Sequence, residues 1–146
     1  AMGFKVRVEH TARVMRRTGN WNVRDYKIWY KDAQKFKEKA KLMMKHFMAI
    51  EKGDAILVVN LKKKDMSGYI GGNVLMEMGI AFYLKKLIFL LYPPSKSNPL
   101  YEEIMGTEPV VLNGELDQIK KRYLLPHLTP PRYRGGRKGE VTSIKS

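Results

Sequence analysis

The sequence predicts an α/β domain built on a parallel sheet, and three observations carry the prediction. Ile56 to Val59 and Leu87 to Leu91 are short, unbroken apolar runs, the pattern of strands covered on both faces. Between them a polar loop and a glycine turn (Gly68, Gly71, Gly72) lead into about three turns of helix, Asn73 to Leu84. Strand, helix and strand within the about 39 residues from Asp54 to Tyr92 make a right-handed βαβ unit, the module of parallel sheets. Ligands of such sheets bind beyond the carboxyl ends of the strands, and that edge carries Asn60, the glycine turn and the helix start.

In chain order, Gly3 to Val8 alternates, with Phe4, Val6 and Val8 on one side and Lys5 and Arg7 on the other, as in a half-exposed strand near a sheet edge. Thr11 to Trp21 is mostly polar or basic and ends in Gly19-Asn20, which predicts a loop. Arg13, Arg16, Arg17 and Arg24 lie beside Trp21, Tyr26, Trp29 and Tyr30, a mixture suited to stacking on bases and pairing with phosphate, and equally to ordinary packing. From Asp32 the pattern is helical: Phe36, Ala40, Met43, Phe47 and Ile50 form one stripe, His46 flanks it, and Gly53 ends the helix. Beyond Tyr92 come a proline- and serine-rich loop, a helical turn at Leu100 to Met105 and a short strand at Pro109 to Leu112. An Asn113-Gly114 turn and an amphipathic helix from Glu115 to Leu125 follow.

The 146 residues suit one domain, placed at 1–128; residues 129–146, rich in proline, glycine and basic side chains, are expected to be a flexible basic tail. With no cysteine there is neither a disulfide nor a thiolate metal site, and a reducing cytoplasm is the expected setting. No apolar run approaches the roughly 18 residues of a membrane span, so no membrane partner is expected, and no cofactor motif is present. The net charge is +14, and residues 1–64 hold 17 of the 28 Lys and Arg but 6 of the 14 acids, a net of +11. That surplus points to an anionic partner, whether nucleic acid or a phosphorylated small molecule, unless it is only a solvated face.

Glu77 is the one charged residue between Val74 and Leu84. A carboxylate facing a buried sheet must be neutralised, hydrogen-bonded or used in chemistry. The start of its helix offers free N–H groups and partial positive charge, which favour the ionised form whether or not chemistry follows.

The strings DAILVVN, GYIGGNVLMEMGIAFYLKKLIFLL, YEEI and PVVLNGEL resemble the nucleoside 2-deoxyribosyltransferase-like family, whose superfamily includes nucleoside 5′-monophosphate N-glycosidases. The resemblance covers about Lys41 to Ile119. It implies a flavodoxin-like three-layer fold around a five-stranded parallel sheet and a homodimer or higher homo-oligomer. It also implies cleavage of the bond joining a sugar to its base in a nucleoside or nucleoside monophosphate. By position the family's nucleophilic glutamate falls on Glu77, which would attack the anomeric carbon through an oxocarbenium-like transition state. Ser67, Gly68, Tyr69, Gly71, Gly72 and Asn73 match the substrate loop before that helix, and Asn113 falls in the last matched string. One family aspartate corresponds to Asn60, which cannot act as a base, and another counts back to about His46, which can. The family's first strand and phosphate loop have no counterpart at the start, where GFKVRVEH resembles its second strand. Either the beginning is truncated, another strand fills the central slot, or catalysis is lost. Two functions follow: N-glycosidic bond cleavage or transfer through Glu77, or non-catalytic binding of a nucleotide or nucleic acid through the basic N-terminal half.

Overall fold

The computed structural model describes residues 3–30, 32–63, 65–124 and 140–145. Strands β1 (Lys5–Val8), β2 (Ala55–Val59), β3 (Leu87–Leu90), β4 (Val110–Val111) and β5 (Glu140–Lys145) form one sheet in the order β1-β5-β2-β3-β4. Every pairing is parallel. The helices are α1 (His10–Thr18), α2 (Val23–Tyr26), α3 (Phe36–Lys52), α4 (Gly72–Tyr83), α5 (Tyr101–Gly106) and α6 (Asp117–Leu124). The expected α/β class with a five-stranded parallel sheet is what the chain adopts.

Alternation along β2 separates two apolar cores. Ile56 and Val58 point to one face, where Ile50 of α3, Val74, Met78 and Ala81 of α4 and Ile104 of α5 cover them. Ala55 and Leu57 point to the other, where Ile119 and Tyr123 of α6 pack with Phe89 and Phe4. Helices on both faces of the sheet make three layers. β2, β3 and β4 advance in one direction along the sheet, so their crossovers α4 and α5 share a face with α3.

The end of the chain departs from expectation. Residues 140–145, assigned above to a flexible tail, are instead β5, hydrogen-bonded between β1 and β2 with Val141 opposite both Val6 and Ala55. Ile144 is 2% exposed. Residues 129–139 of the expected tail and the end of the helix predicted to reach Leu125 lie outside the described residues. Counted from β5, the spatial order becomes 2-1-3-4-5, that of a flavodoxin-like sheet, with the last strand standing where the first is usual. The central slot, which the absent first strand would fill, is occupied by β5.

Two other expectations are corrected. Thr11 to Trp21 is not a loop: α1 runs to Thr18, buries Met15, keeps Arg13, Arg16 and Arg17 outward and ends on Gly19 in a left-handed conformation (φ +70°), whose N–H donates to the Met15 carbonyl. Arginine is a good helix former, and a short surface helix needs only one narrow apolar contact. In α3 the stripe is rotated. Phe36 (54% exposed) and Ala40 face solvent, while Leu42, Met43, His46, Ala49 and Ile50 make the covered side. β1 is an edge strand as expected, and all four of its residues are exposed.

Candidate active site

At the carboxyl ends of the strands a cavity of about 680 Å³ opens between α1, the α2 segment, α3 and the start of α4. Its volume suits a small-molecule ligand. Glu77, in the second turn of α4, forms part of its lining although only 4% of the residue is exposed. The residues between β2 and α4 place that helix. Gly68 has φ +60°, and a Cβ there would lie 2.0 Å from the Pro93 carbonyl oxygen, so the turn closes against the loop after β3 only with glycine. At Gly71 a Cβ would meet the Tyr69 hydroxyl at 3.0 Å, so the missing side chain leaves room for that phenol beside the helix start.

Glu77 is held by a histidine, where the sequence had pointed to the helix dipole. Its Oε1 lies 2.7 Å from His46 Nδ1. The helix field falls off within the first turn, and Glu77 lies past it. The bond to Glu77 raises the His46 pKa above its ordinary 6.5; burial opposes the rise, the charges of Glu77 and Glu9 add to it, and Lys39 works against it. The other ring nitrogen, Nε2, is buried without a hydrogen-bond partner and lies 3.8 Å from Glu9 Oε1. Glu9 follows β1 directly, so β1, α3 and α4 each bring one member of a carboxylate–imidazole–carboxylate line.

Around this line the cavity is aromatic and basic. Trp21, Tyr26, Trp29 and Tyr69 line it with Lys27, Lys39 and Lys63. The Lys39 ammonium donates to Asn73 Oδ1 at 2.9 Å and sits 5.3 Å from the centre of the Trp29 ring, while Lys63 lies 4.7 Å from that of Tyr69. A flat heterocycle can stack on such rings, and an anion can pair with such ammoniums.

The residues anticipated from sequence divide cleanly. Glu77, His46, Tyr69, Gly71, Gly72 and Asn73 come together on the cavity. Asn60, Ser67, Gly68 and Asn113 do not line it. Asn60 is fully buried and is a clamp between two loops: Nδ2 donates to the Tyr92 carbonyl (2.7 Å) and toward that of Gly68 (3.4 Å), and Oδ1 accepts from the Tyr92 N–H (2.9 Å). Both of its N–H groups are used and the side chain is fully buried, so it does not face a substrate. Ser67 is exposed, and Asn113 occupies an exposed turn with φ +52°. Of the basic and aromatic mixture, Trp21, Tyr26 and Trp29 reach the cavity, whereas Arg13, Arg16, Arg17 and Arg24 do not line it, and the Tyr30 side chain lies outside the described residues.

Sequence reasoning passed over Glu9, Lys39 and Lys63. Glu9 carried a readable signal, a carboxylate at the carboxyl end of a parallel strand, whereas the two lysines sit in lysine-rich runs with nothing to single them out. Among the described residues no group of three or more His, Cys, Asp or Glu is placed to hold a metal ion. No helix among them is long and apolar enough to cross a membrane.

The comparisons returned no match. No family model, no curated protein and no solved structure aligns with the chain.

Proposed function

We propose that the cavity binds a nucleoside or nucleoside monophosphate and that Glu77 cleaves its N-glycosidic bond, as the resemblance to the nucleoside 2-deoxyribosyltransferase-like family suggests. The observation that carries this reading is a nearly buried carboxylate, paired with an imidazole at 2.7 Å, on the wall of an aromatic, lysine-lined cavity. The base stacks among Trp21, Trp29 and Tyr69, and Lys39 or Lys63 takes the sugar phosphate. Glu77 attacks the anomeric carbon as the bond to the base breaks and the base leaves with its electrons, giving a glycosyl ester.

His46 holds the nucleophile in place: its hydrogen bond orients the Glu77 carboxylate, and the same bond favours the protonated imidazole. The base leaves from the sugar face opposite Glu77 and takes its proton from water on that face. Water then attacks the anomeric carbon of the ester, loses its proton to solvent, and Glu77 returns as a carboxylate. A second base in place of water makes the same site a transferase. Exposed apolar side chains on α3 (Phe36, Met44, Met48) and on α4 (Met76, Tyr83) give another copy of the chain a surface to cover, in keeping with a homo-oligomer.

The test is release of free base from a panel of nucleosides and monophosphates. Glu77→Gln keeps the shape and the hydrogen-bonding capacity, and it is expected to lower turnover on the order of a thousandfold or more with the fold intact. Base release unchanged in that variant would sink the reading. The second reading, non-catalytic binding of nucleotide or nucleic acid, draws on Trp21, which is 62% exposed at the cavity edge beside the basic helix α1. It predicts binding that weakens steeply with salt and ignores Glu77.

A further inference from the structure

Glu9 stands on the wall of the first cavity, and the steps at Glu77 do not use it. Among the described residues these two are the carboxylates lining that space. Glu9 follows β1 and occupies the N-cap of α1, yet its side chain makes no capping hydrogen bond. Nor does the imidazole engage it: His46 Nε2 lies 3.8 Å away, beyond hydrogen-bond reach, and is itself without a hydrogen-bond partner. The Glu9 side chain is 23% exposed. It therefore offers the cavity a carboxylate with acceptor capacity unspent. A second cavity, of about 420 Å³, adjoins the first at Glu9 and His46, with Arg7, Arg13, Lys45 and Lys52 in its lining.

We propose that Glu9 receives the 2′- and 3′-hydroxyls of a ribonucleotide, which makes the first cavity selective for ribose over 2-deoxyribose. The proposal rests on the nucleotide reading of that cavity and assigns its sugar. Stereochemistry brings the parts together. In a β-nucleoside both hydroxyls lie on the face of the furanose opposite the base. A nucleophile that displaces the base attacks from that same face, so Glu77 and the hydroxyls share one side of the ring. Glu9 is displaced from Glu77 by a single imidazole, through contacts of 3.8 and 2.7 Å. A furanose whose hydroxyls stand one and two carbons from the reacting centre can bridge that separation. A carboxylate accepts from both hydroxyls of a vicinal diol, as acidic side chains do for ribose in dinucleotide-binding folds. The phosphate, repelled by two carboxylates, goes to Lys39 or Lys63, and the ligand stays on the Glu77 side of the wall.

The test is calorimetric binding of ribo-, 2′-deoxyribo- and arabinonucleoside 5′-monophosphates of adenine, guanine, cytosine and uracil to Glu77→Gln, so that turnover does not consume them. Ribonucleotides are expected to bind at least about tenfold more tightly than their 2′-deoxy counterparts, the effect of a hydrogen bond to a charged group. Arabinonucleotides, whose 2′-hydroxyl points to the base side, should bind like the deoxy forms. Adding Glu9→Ala should reduce the ribose preference to within about twofold, and Glu9→Gln, whose amide keeps a neutral acceptor, should leave an intermediate one. The readout is a ratio of two ligands on one protein, so a purely structural role through His46, which weakens both alike, does not imitate it. If Glu77→Gln misfolds, the ratio of kcat/KM for base release by wild type and the Glu9 variants makes the same comparison. Equal binding of ribose and deoxyribose forms with Glu9 intact overturns the proposal. So does a preference that survives Glu9→Ala, a Glu9 variant that alters the choice of base and not of sugar, or failure to bind any of the nucleotides. Base release indifferent to Glu77→Gln, alongside a ribose preference that needs Glu9, would refute the glycosidase reading alone. Base release that needs Glu77 but ignores the 2′-hydroxyl would refute only the present one.

Discussion

Asn60 shows how one amide can look catalytic in sequence and be architectural in space. Its position matched a family aspartate, but both ends of the amide are spent on Tyr92 and Gly68, where a carboxylate could accept and not donate. Asn60→Asp is therefore expected to lower unfolding free energy by about 3 kcal/mol or more in urea titrations at neutral pH, with no gain in base release per folded molecule. His46 gives a second prediction, in pH. Its folded-state pKa is raised, so its bond with Glu77 stabilises the fold fully below the ordinary value of 6.5 and less as pH rises through the raised value. The stability difference between wild type and His46→Gln should be largest near about pH 5.5 and shrink with increasing pH. A difference that grows with pH would show that the imidazole is held neutral. Glu77 was legible because a lone charge stood in an apolar helix, whereas its partner 31 positions earlier was singled out by the resemblance and not by its own pattern. Phe36 and Ala40 drew the expected stripe toward the solvent side of α3 and left His46 on its flank.

Among the elements, the central βαβ unit was readable almost to the residue, since β2, α4 and β3 are each apolar and bounded by loop residues. β5 was not. Its six residues, EVTSIK, follow a stretch rich in glycine and arginine, and the polar Thr142 and Ser143 interrupt its apolar pattern. Thr142 is nonetheless 5% exposed, with its hydroxyl directed to the Ala49 carbonyl of α3 at 3.4 Å. Burial between two neighbours, not propensity, makes this segment a strand. Ending the chain before residue 140 would leave β1 and β2 without their shared partner. Such a protein is expected to lose its cooperative thermal transition, while Ile144→Ala in the full chain should cost about 2–5 kcal/mol. A truncated form that melts like the full chain would contradict the central placement of β5.

For the molecule as a whole, the charge asymmetry of the sequence has a spatial counterpart. Lys27, Lys39 and Lys63 border one cavity and Arg7, Arg13, Lys45 and Lys52 the other, all drawn from the basic first 64 residues. The sign of a partner's charge was thus legible early, but its location was not, because β1, α1 and α3 are brought together by a strand from the far end of the chain. That connectivity bears on how the protein is made. On the ribosome β2 emerges about 80 residues before β5, a wait of roughly 4–16 s at ~5–20 residues per second. Throughout that interval the facing edges of β1 and β2 lack their mate, and pairings as distant as Ala55 with Val141 form last. Nascent chains of this protein therefore carry two unsatisfied strand edges, which a chaperone or a neighbouring nascent chain can capture before the sheet closes.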